Sequence, residues 1–462
     1  MSDMIAVNCR AGKTLSCLLV VAIHAVGFVA NAAQTLYWVG ASGGNFNNSA
    51  NWNTASDGSG TAAVPAAGDT LDFSALASAR TVNCDLGSIT FATAKFNATP
   101  GTGVVTLNGS LHLSSLNNAY NLSIGSGATL TVDGNMTTSW TGAGDTNVSF
   151  LYKNLGTVLV KGTAYGSGSV KTKLSEFYVS GSTSPIQVKG INYSSKVGST
   201  KGQLYMYLST KSGNTGSWVI GSGGLSWGTA REGAAYTAYL VEGTTTLHSS
   251  ADWTFNASKA KSTNRDMAVS KKLTFDTADW NDKTTPRTIT LKGRVQSTAS
   301  DDPAVVVKGC GSLVVDTFDY SSSTYGSITG DNLMTRVATT LAIQDTATLK
   351  INKNAQFKGK VSLAAGTTLA LPPNKTDGTF ETRSNLTSLT LPSTGTAKLK
   401  IDGTKLNVGD HVVLNSVPTG YADHLVVEGT ALDKGRRIVK LVEVDGKLVL
   451  RVTNRGFIVI VQ

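Results

Sequence analysis

The chain has 462 residues, 49 glycines, 9 prolines and a formal net charge of +10 at neutral pH. Its Lys and Arg residues stand mostly singly, which is typical of charged strand edges and turns and excludes a basic nucleic-acid-binding segment. Only four cysteines occur, two of them (Cys9 and Cys17) near the start, so a disulfide-stapled fold is excluded.

Residues 1–32 have the pattern of a secretory signal peptide. Arg10 and Lys13 precede an apolar run from Leu15 to Ala30, and Ala30-Asn31-Ala32 matches the A-x-A cleavage site. The run is shorter than the roughly 20 residues that a transmembrane helix needs. We therefore expect residues 33–462 to act in the extracellular space or at the cell surface, with the periplasm as the alternative, and without a membrane span.

Residues 33–75 are predicted to form an N-terminal cap. This Gly- and Asn-rich segment carries three large aromatic residues, Trp38, Phe46 and Trp52. A stack of strands exposes an unpaired edge and an open apolar core at its first turn, and large rings can cover both. The alternative is that Trp38 and Trp52 form a platform on which sugars stack.

Residues 76–160 and 305–425 show the alternation of apolar and polar residues that predicts short β-strands. In the second stretch, alternating apolar pairs recur at a constant spacing. The pairs begin at Leu341 and Val361 in one series, and at Leu349, Leu369 and Leu389 in the other. The pairs in each series are 20 residues apart. A constant spacing of about 20 residues, with Gly, Asn, Asp and Thr between the pairs, is typical of a β-solenoid, in which each repeat stacks on the one before.

Between residues 161 and 304 the alternation loosens and longer polar connections are predicted. Loops that project from a regular scaffold are where repeat proteins usually carry their binding surface. Four of the seven tryptophans fall in this stretch, and we consider them candidates for stacking on a glycan. They are Trp218, Trp227, Trp253 and Trp280.

The C-terminal residues 426–462 are predicted to form a hairpin cap. Apolar alternation from Ile438 to Val452 is centred on Asp445-Gly446, a dipeptide that favours a type I′ turn. An antiparallel hairpin would close the last edge of a parallel stack. The apolar run from Phe457 to Val461 is predicted to add one more strand.

Several motifs resemble those of a known family. The N-terminal segment combines Trp38-Val39-Gly40, Asn51-Trp52, Val64-Pro65 and Gly68-Asp69-Thr70. It resembles the first segment of bacterial secreted β-solenoid proteins that contain autotransporter-associated β-strand repeats. The later segments KGCGSLVVD, IGSGATLTVDG and LAAGTTLALP are similar to such repeats.

This resemblance implies an all-β chain that forms a single right-handed parallel β-helix, with irregular central loops and terminal caps, outside a bacterial cell. It looks like an autotransporter passenger, but after Leu391 only the segment from Pro392 to Gln462 remains. We expect this segment to be too short for the translocator domain with which autotransporters end. The resemblance supplies no catalytic residues.

An enzyme of this architecture would use outward-facing carboxylates on adjacent turns, assisted by a basic residue. The candidates are Asp276, Asp279 and Asp282 around Trp280, the pair Asp301-Asp302, and Arg265. The alternative is that each Asp serves a turn, where Asp is common. The spacing of the first three differs from that of a calcium loop, the histidines stand alone, and no cofactor motif occurs, so we predict neither a metal site nor a cofactor.

The sequence therefore favours a secreted or surface-displayed β-solenoid with a structural, adhesive or binding role and no catalysis. A cell-surface or extracellular glycan is the predicted partner. The alternative is a carbohydrate-active enzyme, either a polysaccharide lyase or a hydrolase. Two or more candidate carboxylates converging with a cation in one cleft would favour the enzyme.

Overall fold

The computed structural model describes residues 33–454 apart from short gaps, the longest of which are 84–92, 257–266, 318–334 and 372–383. The predicted signal peptide and the predicted strand from Phe457 to Val461 lie outside the described residues. Among the described residues, no helix has the length and apolarity needed to cross a lipid bilayer.

The described chain is almost entirely β-structure. Its helical parts are one turn of 3₁₀ helix at Ser49–Asn51 and the short helix α1 at Tyr421–His424. The first strands are β1 (Thr35–Trp38), β2 (Gly44–Asn45), β3 (Trp52–Asn53), β4 (Thr70–Asp72), β5 (Arg80–Asn83), β6 (Thr93–Phe96), β7 (Val104–Asn108), β8 (Leu111–Ser115), β9 (Tyr120–Ile124), β10 (Thr129–Val132), β11 (Met136–Thr141), β12 (Val148–Asn154), β13 (Thr157–Val170), β14 (Ser175–Ser180), β15 (Ile186–Val197), β16 (Gly202–Tyr207), β17 (Gly216–Trp227) and β18 (Ala234–Val241). The remaining strands are β19 (Thr244–Ser249), β20 (Trp253–Asn256), β21 (Met267–Val269), β22 (Lys272–Asp279), β23 (Thr288–Lys292), β24 (Val295–Ser297), β25 (Val305–Lys308), β26 (Ser312–Val315), β27 (Thr335–Ile343), β28 (Thr348–Ile351), β29 (Phe357–Leu363), β30 (Thr368–Leu371), β31 (Ser384–Thr390), β32 (Ala397–Asp402), β33 (Gly409–Leu414), β34 (Leu425–Thr430), β35 (Arg437–Val444) and β36 (Lys447–Asn454).

Among the described strands, a sheet of 33 is paired in parallel throughout except where β3 meets β1. Its pairings form three ladders that the chain visits in a constant order. The first ladder runs β1-β4-β6-β9-β12-β14-β16-β18-β21-β24 and ends on the N-terminal parts of β27, β29 and β31. The second runs β2-β5-β7-β10-β13-β15-β17-β19-β22-β25 and ends on the C-terminal parts of the same three strands. The third runs β8-β11-β13-β15-β17-β20-β23-β26-β28-β30-β32-β34.

The ladders continue through residues 161–304, where the sequence predicts irregular loops. Strands β13, β15 and β17 are 14, 12 and 12 residues long, and each runs from the second ladder into the third. A long strand that joins two ladders carries a register shift between its halves, for example between Val188 and Gly190. Such a shift breaks the two-residue alternation, which explains why the pattern loosens in the sequence.

The spacing of the apolar pairs equals the length of one turn of the chain, but the next turn has a different length. Val361 lies beside Leu341 and Leu369 beside Leu349, as predicted. The predicted continuation to Leu389 is wrong, because Leu389 pairs with Val361 in the other ladder, and Leu369 pairs with Leu399. Alternation fixes which residues share a face of a strand, but the length of each connection decides which strand lies beside it.

The apolar core is built from in-register columns of side chains. One column in the second ladder passes through Trp218, Leu247, Phe275, Val307, Ile343 and Leu363, all of them buried. Because parallel strands stack about 4.8 Å apart, each of these side chains packs on the one above and the one below. A buried aliphatic or aromatic side chain contributes roughly 1.5–3 kcal/mol of transfer free energy relative to exposure.

The first turn of the chain encloses a cluster of aromatic rings. Trp38, Phe46 and Trp52 are at most 1% exposed, and Phe73 joins them. The Trp38 and Trp52 rings meet edge to face at 5.0 Å, and the Phe46 and Trp52 ring centres are also 5.0 Å apart. The prediction that these rings are buried is confirmed, and the sugar platform at Trp38 and Trp52 is wrong because neither ring is open to solvent.

Beside this cluster, three asparagines on neighbouring strands form a ladder of side-chain hydrogen bonds. Asn83 Nδ2 donates to Asn45 Oδ1 at 2.9 Å, and Asn108 Nδ2 donates to Asn83 Oδ1 at 3.2 Å. Asn83 Nδ2 also donates to the Gly43 carbonyl. Parallel in-register pairing places identical amides one strand apart, where each can be donor and acceptor at once.

A separate antiparallel sheet, β33-β36-β35, takes its strands from both sides of β34 in the chain. The predicted hairpin is confirmed: β35 pairs with β36 around Asp445 and Gly446, which have φ of 51° and 72°. Positive φ at both positions is what a type I′ turn requires. The third ladder extends beyond residue 425, because Leu425–Thr430 pairs in parallel with β32.

Candidate functional site

A hairpin loop formed by residues 277–287 projects from the end of β22 and leads into β23, and we call it the Trp280 loop. It begins at a bulge, because His248 lies opposite Asp276 whereas the next residue, Ser249, lies opposite Asp279. The loop closes on itself through backbone hydrogen bonds from the Arg287 amide to the Thr277 carbonyl at 2.7 Å and from the Asp279 amide to the Thr285 carbonyl at 2.9 Å. These bonds hold the loop as a short antiparallel hairpin.

Asp279 stabilises the base of the loop. Its Oδ2 accepts hydrogen bonds from Arg287 Nε at 2.8 Å and Nη2 at 2.6 Å, while its Oδ1 accepts from the backbone amides of Asn281 and Asp282. Burial raises the pKa of Asp279, but the bonds from Arg287 and the two amides outweigh burial and hold that pKa below its ordinary value. This carboxylate is therefore ionised and fully engaged in structure.

Asp282 shapes the tip of the loop. Its Oδ1 accepts from the amide and hydroxyl of Thr284, and its Oδ2 accepts from the hydroxyl of Thr285. Together these bonds lower the pKa of Asp282 to about 2, with the Thr285 hydroxyl contributing most. An Asp side chain that accepts a hydrogen bond from the backbone amide two residues later forms a standard turn motif.

Trp280 lies half-buried at the exposed side of the loop. Its amide donates to the Ser249 carbonyl at 2.6 Å, which fixes the backbone against β19. The His248 ring packs against the indole with centroids 4.6 Å apart, and Lys283 Nζ lies 4.6 Å from the indole centroid. The half-buried indole thus contacts two basic side chains, His248 and Lys283.

Asp276 lies beneath these groups. Its Oδ2 is 2.9 Å from His248 Nδ1, 3.8 Å from Lys283 Nζ and 3.9 Å from Lys308 Nζ. Burial raises the pKa of Asp276, but the hydrogen bonds from His248 and the Ala278 amide and the charge of Lys308 outweigh burial, so the pKa lies below its ordinary value. One ionised carboxylate therefore gathers three basic side chains.

The stacking of three strands brings two of these basic side chains to Asp276. His248, Asp276 and Lys308 are in-register neighbours on β19, β22 and β25. Each directly follows a buried core residue, so alternation turns each toward the outer face. The Trp280 loop then brings Lys283 back over the same carboxylate.

The following turn of the chain, residues 309–311, packs under the loop. The Thr277 hydroxyl donates to the Lys308 carbonyl at 2.7 Å and accepts from the Gly311 amide. A Cβ at Gly311 would lie 2.0 Å from the Arg287 carbonyl oxygen, so only glycine fits. Cys310 is a half-exposed free thiol within 3.6 Å of the Lys283 carbonyl oxygen.

Two of the four candidate tryptophans belong to the core. Trp218 and Trp253 are each 2% exposed, and their indole nitrogens donate to the Leu208 carbonyl and the Ser249 hydroxyl. Their burial leaves no ring face for a sugar, which corrects the prediction for these two residues. The Trp227 side chain lies outside the described residues, so Trp280 is the candidate whose surroundings the structure gives.

The candidate carboxylates are engaged in separate interactions. Asp302 Oδ1 accepts a hydrogen bond from the Thr340 amide, which is not part of the Trp280 loop. Within the described residues, no hydrogen bond or ion pair links Asp301 or Asp302 to Asp276 or Asp279. The candidate Arg265 lies outside the described residues. In the part of the chain that the structure gives, no group of three or more His, Cys, Asp or Glu is arranged to hold a metal.

His248 and Lys308 were not predicted as site residues. Both looked isolated because each lies on a different strand from Asp276 and is distant from it in the chain. Aligning the strands by their buried residues, Leu247, Phe275 and Val307, would have placed both beside Asp276.

No protein-family model, curated protein or solved structure matches this chain.

Proposed function

We propose that the chain is a secreted or surface-displayed right-handed parallel β-helix that binds glycans through the Trp280 loop and does not cleave them. The constant order in which the chain visits three parallel ladders supports the β-helix. Crossovers between parallel strands are right-handed in nearly all proteins, which supports the hand. The pattern of residues 1–32 supports secretion.

The observation that carries the binding role is a half-buried tryptophan on a loop held by internal hydrogen bonds, beside polar and basic side chains. Glycan sites combine an apolar ring surface with a few fixed polar groups. Asp279 and Asp282 make the loop rigid, so little conformational entropy is lost when a ligand binds. Lys283 covers part of the Trp280 ring, but its side chain is 54% exposed and its cation–π contact is worth about 0.5–1 kcal/mol, so a sugar can displace it.

The same carboxylates favour binding without cleavage. General acid catalysis requires a carboxyl group that is protonated near the working pH. Asp276, Asp279 and Asp282 all have pKa values below the ordinary one, and the latter two are occupied by structural bonds.

A glycan array tests this proposal. The purified chain should bind a subset of neutral or acidic glycans, and Trp280→Ala should weaken that binding at least tenfold while leaving the thermal unfolding temperature close to that of the wild type. Val426→Ala removes an exposed apolar side chain far along the sequence and is the matched control. Wild-type binding by Trp280→Ala, or no binding to any glycan, would refute the proposal. Release of new reducing or unsaturated ends from a bound glycan would refute its non-enzymatic part.

A further inference from the structure

We propose that the Trp280 site selects acidic glycans, with the carboxylate or sulfate of one sugar bound between Lys283 and Lys308. This inference rests on the proposed glycan-binding function and adds the chemical class of the ligand. The observation that carries it is the arrangement of Lys283 and Lys308 around Asp276. Stacking of a neutral sugar on the Trp280 ring would not need these two basic side chains.

The two ammonium groups converge on a single oxygen. Lys283 Nζ and Lys308 Nζ lie 3.8 Å and 3.9 Å from Asp276 Oδ2, and both side chains extend into solvent, being 54% and 39% exposed. An ammonium has three N–H donors, and at these distances Asp276 engages at most one from each lysine. Donors therefore remain on both lysines for a ligand at the outer side of the site.

Asp276 itself is satisfied from within the protein. His248 Nδ1 lies 2.9 Å from Oδ2, and the Ala278 amide donates to Oδ1 at 3.2 Å. The carboxylate is 7% exposed, so it neutralises one positive charge from below without reaching solvent. Two ammonium groups against one buried carboxylate leave an excess positive charge at the surface.

Other charges on the loop are already paired or bonded. Arg287 neutralises Asp279 through two hydrogen bonds to one oxygen. Asp282 accepts hydrogen bonds from Thr284 and Thr285 at the tip of the loop. Because Lys283 Nζ lies 4.6 Å from the centre of the Trp280 ring and shares Asp276 Oδ2 with Lys308, a sugar against Trp280 would have its acidic substituent within reach of both lysines.

Paired polymers provide the test. Dextran sulfate and alginate supply sulfate and carboxylate groups, while dextran and the propylene glycol ester of alginate are their uncharged counterparts. We expect the purified chain to bind the two acidic polymers at least tenfold more tightly than the uncharged ones. Equal binding to charged and uncharged polymers would overturn the acidic selectivity and leave the proposed glycan binding in place, whereas no binding to any polymer, together with a negative glycan array, would overturn both.

A second comparison separates this site from the general positive charge of the chain. Lys283→Ala/Lys308→Ala should weaken binding to the acidic polymers at least tenfold. Lys350→Ala/Lys400→Ala removes the same charge from exposed positions of the third ladder and should change it less than twofold. Equal losses in the two double variants would overturn the inference in favour of diffuse electrostatic attraction.

Cys310 gives a local readout that does not depend on affinity. Its half-exposed thiol lies under residues 283 and 284, so an acidic polymer on the site should slow its alkylation at least threefold, as followed by mass spectrometry of the Cys310 peptide. Alkylation at an unchanged rate in saturating polymer would place the bound polymer elsewhere and overturn the inference.

Discussion

Replacing Asp279 with alanine should release the base of the Trp280 loop while the ladders beneath it stay intact. The carboxylate is the acceptor for four hydrogen bonds, two from Arg287 and two from the backbone amides of Asn281 and Asp282. The backbone of the loop closes through only two further bonds between its arms, so this side chain is a large part of what holds it.

The magnitude follows from the exposure of the partners. Breaking a fully buried ion pair by removing one member costs about 3–5 kcal/mol, because the other charge is left unpaired. Arg287 is 31% exposed and can regain water, and the two amides lie near the surface, so a discount of about one third applies. We therefore expect Asp279→Ala to lower the free energy of local opening by about 2–3 kcal/mol, which accelerates exchange about 30- to 150-fold.

Amide hydrogen exchange at Thr285 and Arg287 measures this opening, since both amides are bonded within the loop. Amides of β28 are the internal reference and should exchange at the wild-type rate. Asp279→Asn keeps an acceptor for the two backbone amides but loses the ion pair, so it should give about half of the effect. Less than a threefold acceleration in Asp279→Ala would refute the view that this carboxylate preorganises the loop.

Two other positions give further predictions. Asn83→Ala removes three hydrogen bonds, two donated by Asn83 and one accepted from Asn108, and should lower the free energy of unfolding by about 1–2 kcal/mol in a urea titration. The control Asn415→Ala changes an exposed asparagine and should have no measurable effect. Equal unfolding midpoints for the two variants would contradict a stabilising role of the asparagine ladder. Because the folded-state pKa of Asp282 is depressed to about 2, its stabilising contribution is complete above about pH 4 and is lost as the pH falls toward 2. The thermal unfolding temperature of the wild type should therefore fall more steeply over this range than that of Asp282→Asn, and parallel curves would show that the carboxylate does not stabilise the turn.

Local patterns predicted the local structure of this chain well. The alternation around Leu341 and Leu349 indicated strands with those side chains buried, and Asp445-Gly446 indicated a type I′ hairpin. Both features depend on residues within a few positions of one another, because side-chain direction and turn conformation are properties of the local backbone. The same reasoning placed Asp276 and Asp279 near Trp280, and its alternative of a turn role describes Asp279 and Asp282, which accept backbone amides of the loop.

Contacts between strands required the tertiary structure. The partner of Leu389 depends on how many residues each connection uses, and burial of Trp218 depends on the strands that stack on it. The pairing of His248 and Lys308 with Asp276 has the same origin, since each joins residues about one turn of the chain apart. The sequence by itself thus determined a β-rich chain with defined strand faces and a C-terminal hairpin, whereas the register between distant strands, decided only when the core packs, determined which side chains share the candidate site.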